Sequence, residues 1–282
     1  VIVSSAAVAR RSRLGVPAPG EPTLSSLRMP KNTNGNENNL PYSVIEFDRP
    51  DLDGLPLWGP SGQGITVIRR VMYEQAPGYK ASEWLSRSDG QFDGVCWGAH
   101  PYPSPASNTS TGHVWEVAAG GNDYTLNREG NTIALETGRW YLQAIRVNRV
   151  NSGQKFVSLY VDLPSLADAD VIDSGDLFSI GEGTIATLKY IRGDSPWFAS
   201  FQNERHGGYY AQTKIIAKLM SEADCVSEAA DMTQLVTPDA QAWIWWGKKG
   251  FTSIDDLTCD FGTGRSFVRN DSSNLITLGS IT

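Results

Sequence analysis

Little in this 282-residue chain serves metal or redox chemistry: it has 3 cysteines and 3 histidines. Cys96, Cys225 and Cys259 stand far apart and show no Cys-x-x-Cys spacing, which argues against a thiolate zinc site. One disulfide with a spare thiol fits the count, but burial as small apolar side chains is the expectation for all three. His100, His113 and His206 are too widely spaced for a histidine-rich metal centre. No apolar run approaches the roughly 20 residues that cross a bilayer, so no membrane span is expected. No long helical period runs through the chain, which argues against an α/β architecture. Gly262-Thr-Gly264 has no Gly-x-x-x-x-Gly-Lys around it, so phosphate cradling is not expected. The basic residues near the start follow the apolar VIVSSAAVA run instead of preceding it, the reverse of a secretory leader.

Aromatic residues and turn formers, in contrast, are plentiful: 9 Trp, 10 Tyr, 9 Phe, 28 Gly and 15 Pro. Turn signals at Asp53-Gly, Gly62-Gln-Gly, Asp89-Gly and Gly120-Gly-Asn-Asp separate short alternating segments, the pattern of an all-β sandwich. Charge is unevenly spread. Residues 1–31 hold Arg10, Arg11, Arg13, Arg28 and Lys31 against Glu21 alone, while the whole chain carries −7. A basic arm on an acidic body is attracted to acidic surfaces, including another copy of the same body. Nucleic acid is not the expected partner, because the arm has no interleaved aromatics and the body repels phosphate.

The most regular stretch is Gly138 to Asp162, GRWYLQAIRVNRVNSGQKFVSLYVD. Trp140, Leu142 and Ala144 alternate with Tyr141, Ile145 and Val147; after a polar turn, Val157, Leu159 and Val161 resume the period of two. Such a hairpin must bury a face, so it belongs to a packed sheet. The pattern resembles the concanavalin A-like, laminin G-type sandwich, in which a Trp-led strand with a central Ala and a later Arg precedes a strand ending Leu-Tyr-Val-Asp. The segments Ile65–Val71, Ser82–Ser86, Gly94–Ala99 and His113–Ala118 fit the family's earlier strands in order. Lys214-Ile-Ile-Ala-Lys-Leu-Met-Ser-Glu-Ala-Asp resembles its closing strand and short helix, with Ser221 as N-cap and Asp224 three residues on. The resemblance spans roughly Ser43–Ala230 and implies a jelly-roll sandwich; by itself it implies no function.

The expected organisation is therefore an extended basic N-terminal arm over 1–40, a concanavalin A/laminin G-like β-sandwich over 41–230, and a C-terminal β appendage over 231–282. The arm shows no useful strand or helix period after Val8, and the appendage contains Ala242-Trp-Ile-Trp-Trp. Gln202–Tyr210 reads as a polar loop with Gly207-Gly208 at its tip.

For this fold the first candidate ligand is a glycan, whose apolar C–H faces lie on aromatic rings while polar groups orient the ring edge. Tyr102, Asp123, Tyr124 and Asn203 are the candidate ligand-binding residues, with Trp115 assigned to the core. Asp51, Asp53, Asp255 and Asp256 supply carboxylates for calcium, but the full D-x-D-x-D-G loop is missing and solvated acidic turns are the plainer reading. No metal or cofactor is assigned. The paired-carboxylate array of sandwich glycoside hydrolases is not found; Glu46 and Asp48 come nearest without the third acid. An alternative is a uronate lyase-like, polysaccharide-cleaving enzyme with His206 as base, Tyr210 as acid and Arg205 or Asn203 neutralising the carboxylate. Against it, neighbours on one strand point to opposite faces, so the cluster cannot converge as a whole. The leading expectation is a non-enzymatic lectin-like protein, extracellular or on a particle surface such as a virion, tail or filament. It would join glycan binding to self-association through its arm.

Overall fold

A computed structural model of the protein describes residues 25–29, 43–49, 52, 55, 62–74, 81–86, 94–101, 113–119, 122–126, 136–148, 157–166, 170–172, 188–193, 208–246, 268–271 and 277–280. These form two antiparallel sheets and one helix, the antiparallel β-sandwich architecture expected from the sequence. The first sheet runs β10 (Asp170–Ile172), β9 (Val157–Tyr160), β8 (Trp140–Asn148), β3 (Gly64–Tyr73), β12 (Gly208–Ile216), β1 (Ser25–Met29) and β15 (Thr277–Ser280), with β13 (Ala242–Trp246) also paired to β12. The second runs β14 (Val268–Asp271), β2 (Ser43–Arg49), β11 (Leu188–Gly193), β4 (Ala81–Ser86), β5 (Gly94–Pro101), β6 (His113–Ala119) and β7 (Asn122–Leu126). The single helix among the described residues, α1, spans Glu222–Ala230.

The hairpin read from the sequence forms, with Val147 opposite Val157 and Ala144 opposite Tyr160. Its first strand is buried on both faces. Tyr141, Gln143, Ile145 and Val147 are buried on the inner face, toward the second sheet, and Ala144 on the outer face beneath α1. Strand β3 sits at the centre because its β-branched run Ile65–Ile68 suits a pleat covered on both sides. Each fully buried Val or Ile there contributes roughly 1.5–3 kcal/mol of apolar burial. The inner face also holds a polar group of strands β3 and β8. The Arg69 Nε donates to the Gln143 Oε1 at 3.0 Å, and the Tyr73 hydroxyl lies 3.4 Å from both partners.

Three expectations change. Ser25–Met29 lies within the span expected as an extended arm, yet it is a strand between β12 and β15. Ser26 and Leu27 are buried there, and with Leu27 and Met29 as its two apolar residues the strand depends chiefly on main-chain pairing along both edges. Within the expected appendage, β13 and β15 belong to the first sheet and β14 to the second. Gly208-Tyr209-Tyr210 opens β12 instead of closing a loop. A Cβ at Gly208 would overlap the carbonyl oxygen of Met72, so the two strands approach this closely only with glycine at that position.

Candidate functional site

The register fixes four cross-strand rows on the outer face of the first sheet. From one end they are Ile216–Thr66–Arg146–Ser158, Lys214–Ile68–Ala144–Tyr160, Arg70–Leu142, and Arg28–Tyr209–Met72–Trp140. The first two rows are covered and the last is open.

Helix α1 covers the first end. Ser221 caps it with a capping box: the Asp224 amide donates to the Ser221 Oγ at 3.1 Å and the Ser221 amide to the Asp224 carboxylate at 3.2 Å. Cys225 and Ala229 pack on Ile68, Ala144, Tyr160 and Ile216. The Cys225 thiol is free and buried, and burial pushes it up to about 12. The Thr66 hydroxyl donates to the Lys218 carbonyl at 2.8 Å and accepts from the Met220 amide at 3.0 Å, tying the β12–α1 connection to β3. The Tyr160 hydroxyl donates to Glu222 at 2.8 Å, and burial together with that carboxylate pushes it up to about 12.

Beneath the helix, Lys214 and Glu228 form an ion pair at 2.7 Å with both side chains 0% exposed. The Lys214 ammonium also donates to the carbonyls of Glu228, Asp231 and Gln234. The second Glu228 oxygen accepts the amides of Val236 and Thr237 at 2.9 and 2.6 Å. Burial pushes the Glu228 carboxyl up, but the bonds from Lys214 and Thr237 outweigh it and hold the group below the usual range. Burial in turn draws Lys214 below its ordinary value, against the pull of Glu228. Every donor and acceptor of the pair is engaged, which makes it a fastening of helix and loop to sheet and not a reactive group.

At the open end, Trp140, Met72 and Tyr209 are each partly exposed and lie side by side on β8, β3 and β12. The Trp140 and Tyr209 rings meet edge to face with centroids 6.4 Å apart. The Arg28 guanidinium lies 5.8 Å from the Tyr209 ring centre and pairs with Glu74 at 3.1 Å. The approach to Trp140 is held firmly. Gly138 turns the chain at φ 78° and donates to the Tyr73 carbonyl at 2.8 Å. Arg139 pairs with Asp162 and lies 4.8 Å over Tyr141, whose hydroxyl accepts the Glu136 amide at 2.8 Å. A row of aromatic and thioether surface bordered by a guanidinium and a carboxylate suits a ring with apolar faces and hydroxylated edges.

Of the residues nominated from the sequence, Tyr102, Asn203, Arg205 and His206 lie outside the described residues, as do Asp51, Asp53, Asp255 and Asp256. Asp123 and Tyr124 fall in β7 of the second sheet, and their side chains, like that of Trp115, lie outside the described set. Among the described residues no group of His, Cys, Asp and Glu has the make-up of a metal site. Tyr210 is corrected: it is 1% exposed, opposite Val71 and Leu27, and so does not meet a polymer at the surface. Its neighbour Tyr209 takes the outward position. The reason is the irregularity in β12 between Tyr210 and Thr213. Counting back by twos from the inner-facing Ile215 would turn Tyr209 inward; one extra residue reverses the parity. Trp140 was legible as the hairpin's leading aromatic, but nothing local linked it to Arg28, Met72 and Tyr209.

No protein family matches the chain, and no curated protein matches it in sequence. Solved structures do. A heptameric SAP-like pentraxin from Limulus polyphemus is similar at a TM-score of 0.55 and 12% identity, over 91% of this chain and 94% of that one. A proposed carbohydrate-binding protein from Bacteroides ovatus is similar at a TM-score of 0.50 and 14% identity, over 92% of this chain and 60% of that one. These likenesses agree with the lectin-like sandwich and concern the fold alone.

Proposed function

We propose that the protein is a non-catalytic glycan-binding β-sandwich and that the sugar lies across Trp140, Met72 and Tyr209. The observation that carries this reading is the partly exposed Trp140–Tyr209 pair on a rigid sheet face, bordered by the Arg28–Glu74 ion pair. Rings carried on strands hydrogen-bonded into a sheet lose little freedom when a ligand docks, which favours binding. The carbohydrate-binding description of the Bacteroides ovatus protein, which shares the fold, supports the same ligand class.

Binding of the full chain to a glycan array, followed by titration calorimetry on the best ligand, tests the reading. Trp140→Ala and Tyr209→Ala are expected to weaken binding on the order of tenfold or more each while the unfolding transition stays cooperative. Unchanged affinity in both variants would remove the row from consideration.

Self-association through the basic N-terminal span, with display on a particle surface, extends this proposal to assembly. Its support is the charge split between residues 1–31 and the remainder. A truncation at Pro41 would remove β1, including Leu27 and Arg28, so the informative truncation starts at Pro22. The mass in solution of the two chains at low and high salt tests it: loss of a salt-sensitive oligomer on truncation supports the arm's role, and equal masses reject it.

A further inference from the structure

Between the covered and open halves stands a cation that has no counter-charge among the described residues. Arg70 opposes Leu142 on β8; on its other side it meets the β12 irregularity, where Ala211 and Gln212 lie between the registered positions Tyr210 and Thr213. Both of those residues are buried, and the Gln212 Oε1 has no hydrogen-bond partner. Among the described residues of this face, Arg28 pairs with Glu74 and Lys214 with Glu228, while Arg146 donates to the Tyr160 hydroxyl and keeps its Nε without a hydrogen-bond partner. Arg70 is partly buried, and burial draws its guanidinium below the ordinary arginine value, with no acid among the described residues offsetting it. A guanidinium does not shed its proton in a protein, so its desolvation cost must be offset by acceptors, and an anion offsets it most strongly.

Position supplies the second half of the argument. Arg70 precedes Met72 by two residues on the same strand, so it stands about 7 Å along the same face from the aromatic row. A sugar ring lying on Trp140 or Tyr209 presents its substituents at that range. Carboxylate and sulfate are the groups whose paired oxygens match the planar fork of an arginine.

We infer that Arg70 is the anion-recognising residue of this face, and that the glycan seated on the aromatic row carries a carboxylate or a sulfate ester. The inference rests on the glycan-binding reading above and adds the charge of the ligand. The test is titration of the full chain with polygalacturonate and with heparin, each beside its neutral counterpart, carboxyl-reduced or desulfated. Wild type, Arg70→Gln, Arg70→Lys and Trp140→Ala are compared. The expected result is that wild type binds at least one anionic polymer about tenfold or more tightly than its neutral form. Arg70→Gln is expected to erase that preference while keeping the weaker neutral binding, and Arg70→Lys to retain only part of it. Which polymer shows the preference tells uronate from sulfate. Equal wild-type binding of the anionic and neutral forms overturns the inference without recourse to any variant. So does a preference that survives Arg70→Gln; in either case a loss in Trp140→Ala leaves the aromatic row standing. If Trp140→Ala binds every polymer as wild type does, the row falls and this inference with it.

Discussion

The covered and open halves of the outer face are built on the same three strands, β8, β3 and β12, and they satisfy their polar groups in opposite ways. Under α1, Lys214 meets one carboxylate and three carbonyls, and Glu228 meets an ammonium and two amides. At the other end, Trp140, Met72 and Tyr209 are left partly exposed and Arg70 has no counter-charge among the described residues. The first arrangement leaves nothing for a ligand to do. The second leaves apolar surface and charge whose cost of exposure or desolvation a ligand would relieve, as expected where a fold gives up stability for recognition.

The contrast is broken most strongly by Lys214→Met, which strands the buried Glu228 carboxylate and three carbonyls. A loss of roughly 3–5 kcal/mol in denaturant unfolding is expected, with glycan affinity of the folded fraction unchanged. Adding Glu228→Gln is expected to recover part of the loss, since the buried charge is then gone. The same fastening responds to pH. The Glu228 and Asp231 carboxyls are held below their ordinary 4.5 and 3.8, so in that acid window the unfolded chain binds more protons than the folded one. Their contribution is full above those values and is lost as pH falls through the folded-state values. An acid titration in which Lys214→Met and wild type lose stability in parallel would count against the assignment to Glu228.

Next comes Gly208→Ala, whose methyl meets the Met72 carbonyl and forces β12 away from β3 at the open end. A cost of about 1–3 kcal/mol is expected, accompanied by loss of glycan binding, because Tyr209 moves with its strand. Ser221→Ala removes the helix cap and is expected to cost about 1 kcal/mol with binding intact, which separates the halves from the covered side. The smallest effect on stability is expected from Glu74→Gln. The Arg28 side chain of that pair is 42% exposed, so the change is about 0–1 kcal/mol, read as a shift in unfolding midpoint. A loss much above that would mean the open row is part of the folding core.

Much of the fold was legible because its signals are local. The hairpin of β8 and β9 follows from a period of two, and the Ser221 cap from a hydroxyl three residues before an acid. The strand at Ser25–Met29 was not legible, because two apolar residues, Leu27 and Met29, make too short an alternation to stand out from the surrounding polar run. The candidate row was only partly legible: Trp140 stood out, while Arg28, Met72 and Tyr209 sit on three other strands.

By itself, then, the sequence determined the all-β character, the hairpin, the capped helix and the uneven charge, since each depends on residues within a few positions of one another. Tertiary structure decided which side chains share a surface. That depends on the register between distant strands and on one irregularity in β12, where a single extra residue turns Tyr210 inward and Tyr209 out.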